Sequence, residues 1–233
     1  MKTAAPATTE DTDLRRIRHL VDGTAVAGTS GRTARVYDPA TGRQTGELDL
    51  ASAEEVDRAV ASAAAAFRAW RKTSLAKRTK LMFAYRDLVH RNADEIARLI
   101  TAEHGKVLSD AKGEVARGLE NIEFACGLAE HLKGRYSEGA ATGIDVYSVR
   151  RPLGVVAGIT PFNFPAMVPL WMLPNAIACG NTFILKPSER DPSAPAFIAE
   201  LFQEAGLPPG VLNVVHGDRV AVERLLAHPD VAA

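Results

Sequence analysis

Apolar and polar positions change rhythm twice along this chain. His19-Leu20-Val21 and Thr24-Ala25-Val26 are short runs separated by Asp22-Gly23, the pattern of a strand, a tight turn and a second strand. A second pair, Arg35–Tyr37 and Gln44–Leu50, is joined by Asp38-Pro39-Ala40-Thr41-Gly42, a segment of turn-forming residues. Helical spacing then takes over. Ser52 and Glu55 stand in the S-x-x-E relation of a capping box, and Val56, Val60, Ala63, Ala64 and Phe67 follow at helical intervals. The spacing predicts a second helix over about 75–91, with Leu81, Tyr85 and Leu88 on one face. Asn92 and Glu95 mark a third start, which ends at His104-Gly105 with glycine as a left-handed cap. Ser109 is expected to open a long fourth helix that runs to about Lys133 and closes at Gly134. Ile144–Arg151 mixes β-branched and polar residues, as a partly exposed strand in a projecting hairpin arm would.

From Pro152 onward the strands become fully apolar. Val155–Ile159, Thr182–Leu185 and Val211–Val215 alternate with helical stretches near Met167–Ala178, Ala194–Glu204 and Val220–Leu226. Short continuous apolar strands between helices imply a parallel sheet covered on both faces, an α/β architecture. Val231-Ala232-Ala233 reads as the opening of a further strand.

Composition narrows the function classes. The 233 residues are 46% hydrophobic and 24% charged, ordinary for a globular protein with a sizeable core. Lys+Arg and Asp+Glu are 28 each, so no net charge steers the chain to nucleic acid or an anionic membrane. No apolar run approaches the ~18 residues that span a bilayer. Residues 1–14 read as a flexible tail, with Glu10, Asp11 and Asp13 arguing against a signal peptide. The two cysteines, Cys126 and Cys179, lie far apart, so no disulfide framework and no metal site is expected, and a reducing, cytoplasmic setting is the default. Each suits a packed small hydrophobe better than a nucleophile.

Two strand ends carry the candidate chemistry, because open parallel sheets bind ligands beyond the carboxyl ends of their strands. The first is Gly158-Ile159-Thr160-Pro161-Phe162-Asn163-Phe164-Pro165, where two prolines fix the path of the turn. Asn163 is held there with an amide that can donate to an oxyanion, or that can simply bond its own turn. The second is Ile184-Leu185-Lys186-Pro187-Ser188-Glu189-Arg190. Lys186 is a donor and Glu189 an acceptor, so together they can bracket ribose hydroxyls with Arg190 beside them, or they can be charges on a solvated loop. Neither G-x-G-x-x-G nor a P-loop is present. On the fourth helix, Val115, Leu119, Ile122, Cys126 and Ala129 form one stripe, and Arg117, Asn121, Phe124 and Leu128 form another. A helix with two such faces is expected between layers. Arg117 would then need an anion, either Glu114 or a substrate carboxylate.

The run from Gly154 to Pro195, with N-F-P at 163–165 and K-P-S-E at 186–189, resembles the aldehyde dehydrogenase superfamily. Phe162 ahead of Asn163, together with E-H-G-K (Glu103–Lys106), R-G-L-E (Arg117–Glu120) and N-V-V-H-G-D (Asn213–Asp218), is similar to the CoA-acylating methylmalonate-semialdehyde (malonate-semialdehyde) dehydrogenases. The similarity runs from about Arg18 to the last residue.

The resemblance implies an NAD-binding, Rossmann-like domain whose first half is 152–233, preceded by a β/helical part at 15–151 that carries the arm. It implies that Asn163 donates to the oxyanion, that Lys186 and Glu189 hold the adenosine ribose, and that Thr160, Phe162 and Arg190 are further NAD contacts. Arg117 matches an arginine that holds the substrate carboxylate. In the family a cysteine thiolate attacks the aldehyde, hydride passes to NAD, and a thioester remains. In this branch CoA takes the acyl group from a small semialdehyde. The nucleophilic cysteine and the second half of the cofactor fold lie in a later region, so the expectation is a chain truncated before the catalytic domain. The family forms dimers or tetramers through the arm, to which Glu138–Arg151 corresponds, with a partner strand expected from that later region. Three readings follow: an inactive N-terminal portion, one half of a split enzyme, or a non-catalytic NAD-binding or assembly module.

Overall fold

A computed structural model describes residues 14–233; the N-terminal stretch 1–13, and most of the proposed tail with it, lies outside them. The hairpin at the front forms as the turn chemistry requires. β2 (His19–Val21) and β3 (Thr24–Val26) pair antiparallel, and both turn residues take positive φ, Asp22 at 52° and Gly23 at 77°. β4 (Thr33–Asp38) and β5 (Arg43–Asp49) form the second antiparallel pair, and β1 (Arg15–Ile17) adds parallel to β5. Ile17, Val36, Leu48 and Leu50 close a small core on this sheet.

The helices begin where the sequence signals them. Ser52 and Glu55 complete a capping box at the start of α1 (Ala53–Trp70). α2 (Leu75–Arg91) is capped by Ser74, and α3 (Ala93–His104) ends on Gly105 at φ 85°. Asn92 does not cap α3 through its side chain; that amide donates back to the Leu88 carbonyl at 2.9 Å and finishes α2 instead. The long helix is shorter than expected. α4 spans Leu108–Cys126 and starts after an extended Val107, so Ser109 lies inside it. It breaks at Gly127, whose N–H bonds the Phe124 carbonyl in a tightened last turn. A short α5 (Leu128–His131) follows, capped by Leu132 rather than Gly134.

β6 (Tyr136–Ala141) and β7 (Ile144–Tyr147) form an antiparallel hairpin, every residue of which is exposed. The strand beside β7 is thus one of this chain's own.

The main sheet runs β3-β2-β10-β9-β8, where β8 is Val155–Ile159, β9 is Thr182–Lys186 and β10 is Leu212–Val214. β8, β9 and β10 are mutually parallel, and Val231–Ala233 runs parallel along the far edge of β8 through Ala232 N–H to Val155 O (2.8 Å) and Ala157 N–H to Ala233 O (2.8 Å). The sheet is mixed, not wholly parallel, because β2 joins β10 antiparallel. The front hairpin is drawn there by an exposed strand edge that needs partners. Asn213 accepts the Asp22 N–H at 2.9 Å, which fixes the turn against the sheet.

Alternate residues of the strands feed opposite layers, as period two requires. Val156, Phe183, Leu185, Leu212 and Val214 pack with α2, α3, α4, α6 (Met167–Ala178) and α7 (Ser193–Glu204). Val155, Ile184 and Val215 pack with α1 and α8 (Arg219–Ala227). Both faces are therefore covered.

Candidate functional site at two neighbouring strand tips

β8 and β9 lie in register, with Ile159 opposite Lys186, so the loops that follow them leave the sheet side by side. The Thr160 N–H donates to the Lys186 carbonyl at 3.1 Å and ties the two tips together. Thr160 is buried, and its hydroxyl has no partner among the described residues.

In the first loop Phe162 is half exposed. Its ring stacks on His104 (centroids 5.9 Å apart) on one side and meets the Arg190 guanidinium, 5.1 Å from the centroid, on the other. Arg190 belongs to the second loop, so this contact bridges the crevice. Asn163 is exposed at the mouth. Its backbone is held from below by Lys106, whose ammonium donates to the Asn163 carbonyl at 2.9 Å and sits 4.5 Å from the Phe164 ring centroid.

Lys106 is itself held by Glu114, 2.6 Å away. The other oxygen of Glu114 accepts the N–H groups of Ala166 (2.8 Å) and Met167 (3.1 Å). α6 has no cap from its own Ala166, so a buried carboxylate from α4 satisfies its first amides and suits the positive end of its dipole.

In the second loop the Lys186 ammonium is buried and lies 3.2 Å from Glu189, whose carboxylate is 41% exposed. One of three ammonium donors is thereby used. Ser188 accepts the Arg190 N–H at 3.1 Å and shapes the turn. Glu103, at the end of α3, accepts both the N–H (2.9 Å) and the hydroxyl of Ser193 where α7 begins. Burial raises the Glu103 carboxyl above its usual range. Asp191 is buried beside it with no hydrogen-bond donor on either oxygen among the described residues, and burial, reinforced by the charges of Glu103 and Glu114 and only partly offset by the nearby Ser188 hydroxyl, pushes its carboxyl up to about 7. A group held that way is neutral over much of the ordinary pH range.

The third tip, after β10, carries His216. Its N–H donates to His19 Nδ1 at 3.1 Å and the two rings stack with centroids 5.9 Å apart. Complete burial holds His216 near pKa 3, with His19 and Lys186 adding to the effect.

Thr160, Phe162, Asn163, Lys186, Glu189 and Arg190 thus lie together on two adjacent strand tips. Arg117 does not join them through any contact. It lies on the exposed side of α4, with no hydrogen bond or ion pair among the described residues, and Glu114 is taken by Lys106. The second stripe is open only at Arg117 and Phe124, the latter 53% exposed; Asn121 accepts from Asn175 at 2.9 Å, and Leu128 is buried in the main core. No role was expected for Glu103, Lys106, Asp191 or His216, and Glu114, expected as a partner for Arg117, instead pairs with Lys106. Glu103 and Lys106 stand in the E-H-G-K stretch, but nothing in its spacing says that they reach Ser193 and Asn163. Both cysteines are free and away from the crevice: Cys126 sits on α4, and Cys179 follows α6 at the opposite end of the sheet, with burial raising each thiol. Among the described residues no cluster is suited to a metal ion, and no helix is long and apolar enough to cross a membrane.

Comparison with known proteins agrees with this geometry. The chain is 56% identical over 217 residues to the malonate-semialdehyde dehydrogenase of Pseudomonas aeruginosa, covering 93% of this chain and 44% of that protein. It is 47% identical to the mitochondrial acylating methylmalonate-semialdehyde dehydrogenase of Arabidopsis thaliana, over 94% of this chain and 36% of the relative. A Sinorhizobium meliloti 1021 structure described as a methylmalonate-semialdehyde dehydrogenase complexed with NAD superposes with a TM-score of 0.92 at 50% identity, covering 94% of this chain and 44% of that one. The chain spans less than half the length of these relatives. The model of the aldehyde dehydrogenase family matches residues 26–233, and the chain belongs to that family.

Proposed function

We propose that this chain supplies the front wall of an NAD-dependent, CoA-acylating semialdehyde dehydrogenase that acts on malonate or methylmalonate semialdehyde. The observation that carries the reading is the register of β8 on β9, which sets the Asn163 loop beside the Lys186–Glu189 pair. The residues present suit a dinucleotide. Lys186 keeps donors to spare and Glu189 presents an accessible acceptor, the complement of a ribose diol. The orphaned Thr160 hydroxyl, the Phe162 ring and the Arg190 guanidinium line the space between the loops. NAD supplies the hydride acceptor when bound, and CoA is the acyl acceptor. Asn163 donates its side-chain amide to the oxygen that gains charge as the aldehyde is attacked, a contact whose loss typically costs ~10²–10³ in rate. Arg117 holds the substrate carboxylate from the open face of α4.

Neither cysteine lies at the crevice, so the reading also holds that the chain by itself is inactive. Calorimetric titration with NAD tests the first part, and saturable binding is expected. Incubation with either semialdehyde, NAD and CoA tests the second, with no NADH absorbance expected. Absence of NAD binding would sink the cofactor assignment, and turnover would sink the inactivity.

The same reading extends to assembly as a dimer or tetramer. The hairpin arm exposes Tyr136, Ile144, Val146 and Tyr147, apolar surface suited to a second copy. Sedimentation should show an oligomer that Val146→Lys dissociates; a monomeric parent protein would remove the assembly proposal.

A further inference from the structure

At the other end of β8 and β9 lies a cavity of about 560 Å³ between the start of α2, the end of α6 and the base of the hairpin arm. β8 is five residues long, so roughly 17 Å separates this cavity from the crevice. Its wall holds Arg71, Arg78, Arg150 and Arg151 and no carboxylate. None of the four guanidinium groups has an ion-pair partner among the described residues, although the chain as a whole has no net charge. Arg78 is buried, and it is held by two carbonyls, of Thr73 (3.1 Å) and of Ala178 at the end of α6 (2.7 Å), with no anion beside it. Carbonyl dipoles place that cation but leave its charge uncompensated. Arg71, Arg78, Arg150, Arg151 and Cys179 all line this one cavity, so the cationic groups face a common space. Leu75, Leu132 and Leu153 supply an apolar portion of the same wall. A concave, low-dielectric wall of one sign focuses its field on whatever enters. The volume falls within the ~300–1,000 Å³ usual for small-molecule sites.

We propose that this cavity is a second ligand site, for a small organic anion bearing a phosphate group. The guanidinium forks take the phosphate oxygens, and the leucines take the organic portion. The site is independent of the NAD crevice and makes no use of the crevice residues.

Phenyl phosphate is the probe, with inorganic phosphate for comparison, titrated into the whole chain by calorimetry. Saturable binding of phenyl phosphate is expected, tighter than that of inorganic phosphate and weakened by added salt. The double variant Arg150→Ala/Arg151→Ala alters two exposed side chains, so it keeps the fold, and should weaken binding at least tenfold. Lys186→Met, in the crevice, should leave phenyl phosphate binding unchanged. Failure of phenyl phosphate to saturate the parent overturns the proposal, as does equal binding by the double variant. Self-association that the double variant abolishes, without phenyl phosphate binding, also overturns it and assigns the arginines to a contact between copies.

Discussion

Lys106 and Glu114 form a buried ion pair at 2.6 Å that fastens two separate pieces of backbone: the Asn163 carbonyl through the ammonium, and the first amides of α6 through the carboxylate. Removing one partner leaves the other charge buried and, for Glu114, two N–H groups unanswered. Glu114→Ala should therefore lower unfolding free energy by about 3–5 kcal/mol in urea denaturation. Glu114→Gln keeps an acceptor for Ala166 and Met167 and should lose less. A change within ~0.5 kcal/mol for the alanine variant would show that the pair carries little of the fold.

Lys186→Met keeps the length and burial of the side chain and removes its donors. If Lys186 and Glu189 hold a ribose, each of Lys186→Met and Glu189→Gln should weaken NAD binding by about 1.5–3 kcal/mol, roughly 10- to 150-fold. Calorimetry reads the affinity, and an unchanged circular dichroism spectrum checks the fold. NAD affinity equal to that of the parent would show that the pair only stiffens its own loop.

Asp191 makes stability depend on pH in the direction opposite to most acids. Its carboxyl titrates near 3.8 in the unfolded chain and is pushed up to about 7 in the fold. Between those values the folded state holds a proton that the unfolded state has shed. The favourable contribution is complete below the lower value and is lost as pH rises through the upper one. Asp191→Asn should thus stabilise the protein at pH 8, by at most on the order of 4 kcal/mol, and change little at pH 4. The difference between variant and parent is the quantity to follow in thermal melts. His216, held down to about 3, acts in the other direction and loses stability as pH falls below 6.5. A variant-minus-parent difference that is flat from pH 4 to 8 would mean that Asp191 is ionised throughout.

Gly118 is where α4 meets α6. A methyl group there would overlap the Leu170 side chain, with Leu170 Cβ at 3.0 Å and its Cδ1 nearer still. Gly118→Ala gains helix propensity worth up to ~1 kcal/mol. Overpacking costs ~1–3 kcal/mol and should win, for a net loss in denaturant midpoint. Gly113, with open space around it on the same helix, should instead tolerate alanine with a gain.

Local chemistry was the legible part of this fold. Ser52 with Glu55, Gly105 and the Asp22-Gly23 turn each announce themselves within a few residues, because their partners are close in sequence. The crevice loops were legible for a related reason: prolines and an abrupt exit from an apolar strand mark Asn163 and Lys186. What joins them was not. The register of Ile159 on Lys186, the reach of Lys106 to Asn163 and the burial of Asp191 all depend on tertiary packing, which periodicity does not encode. Ser109 misled because a good capping residue also sits comfortably within the first turn of a helix, here two residues after the extended Val107 that starts it. Arg117 stands on the exposed side of α4, and neither its stripe nor its spacing says what anion it would meet.

The pairing of β2 with β10 joins Leu20 to Val214. During synthesis the first of these strands leaves the ribosome long before the second exists. The early hairpin must wait, with its edge unclaimed, while the chain from Leu20 to Val214 is translated. Closing so wide a loop is entropically expensive and slow. Completion of the main sheet is therefore a late event, and a nascent chain stalled before residue 212 would present β2 to chaperones or to a neighbouring chain.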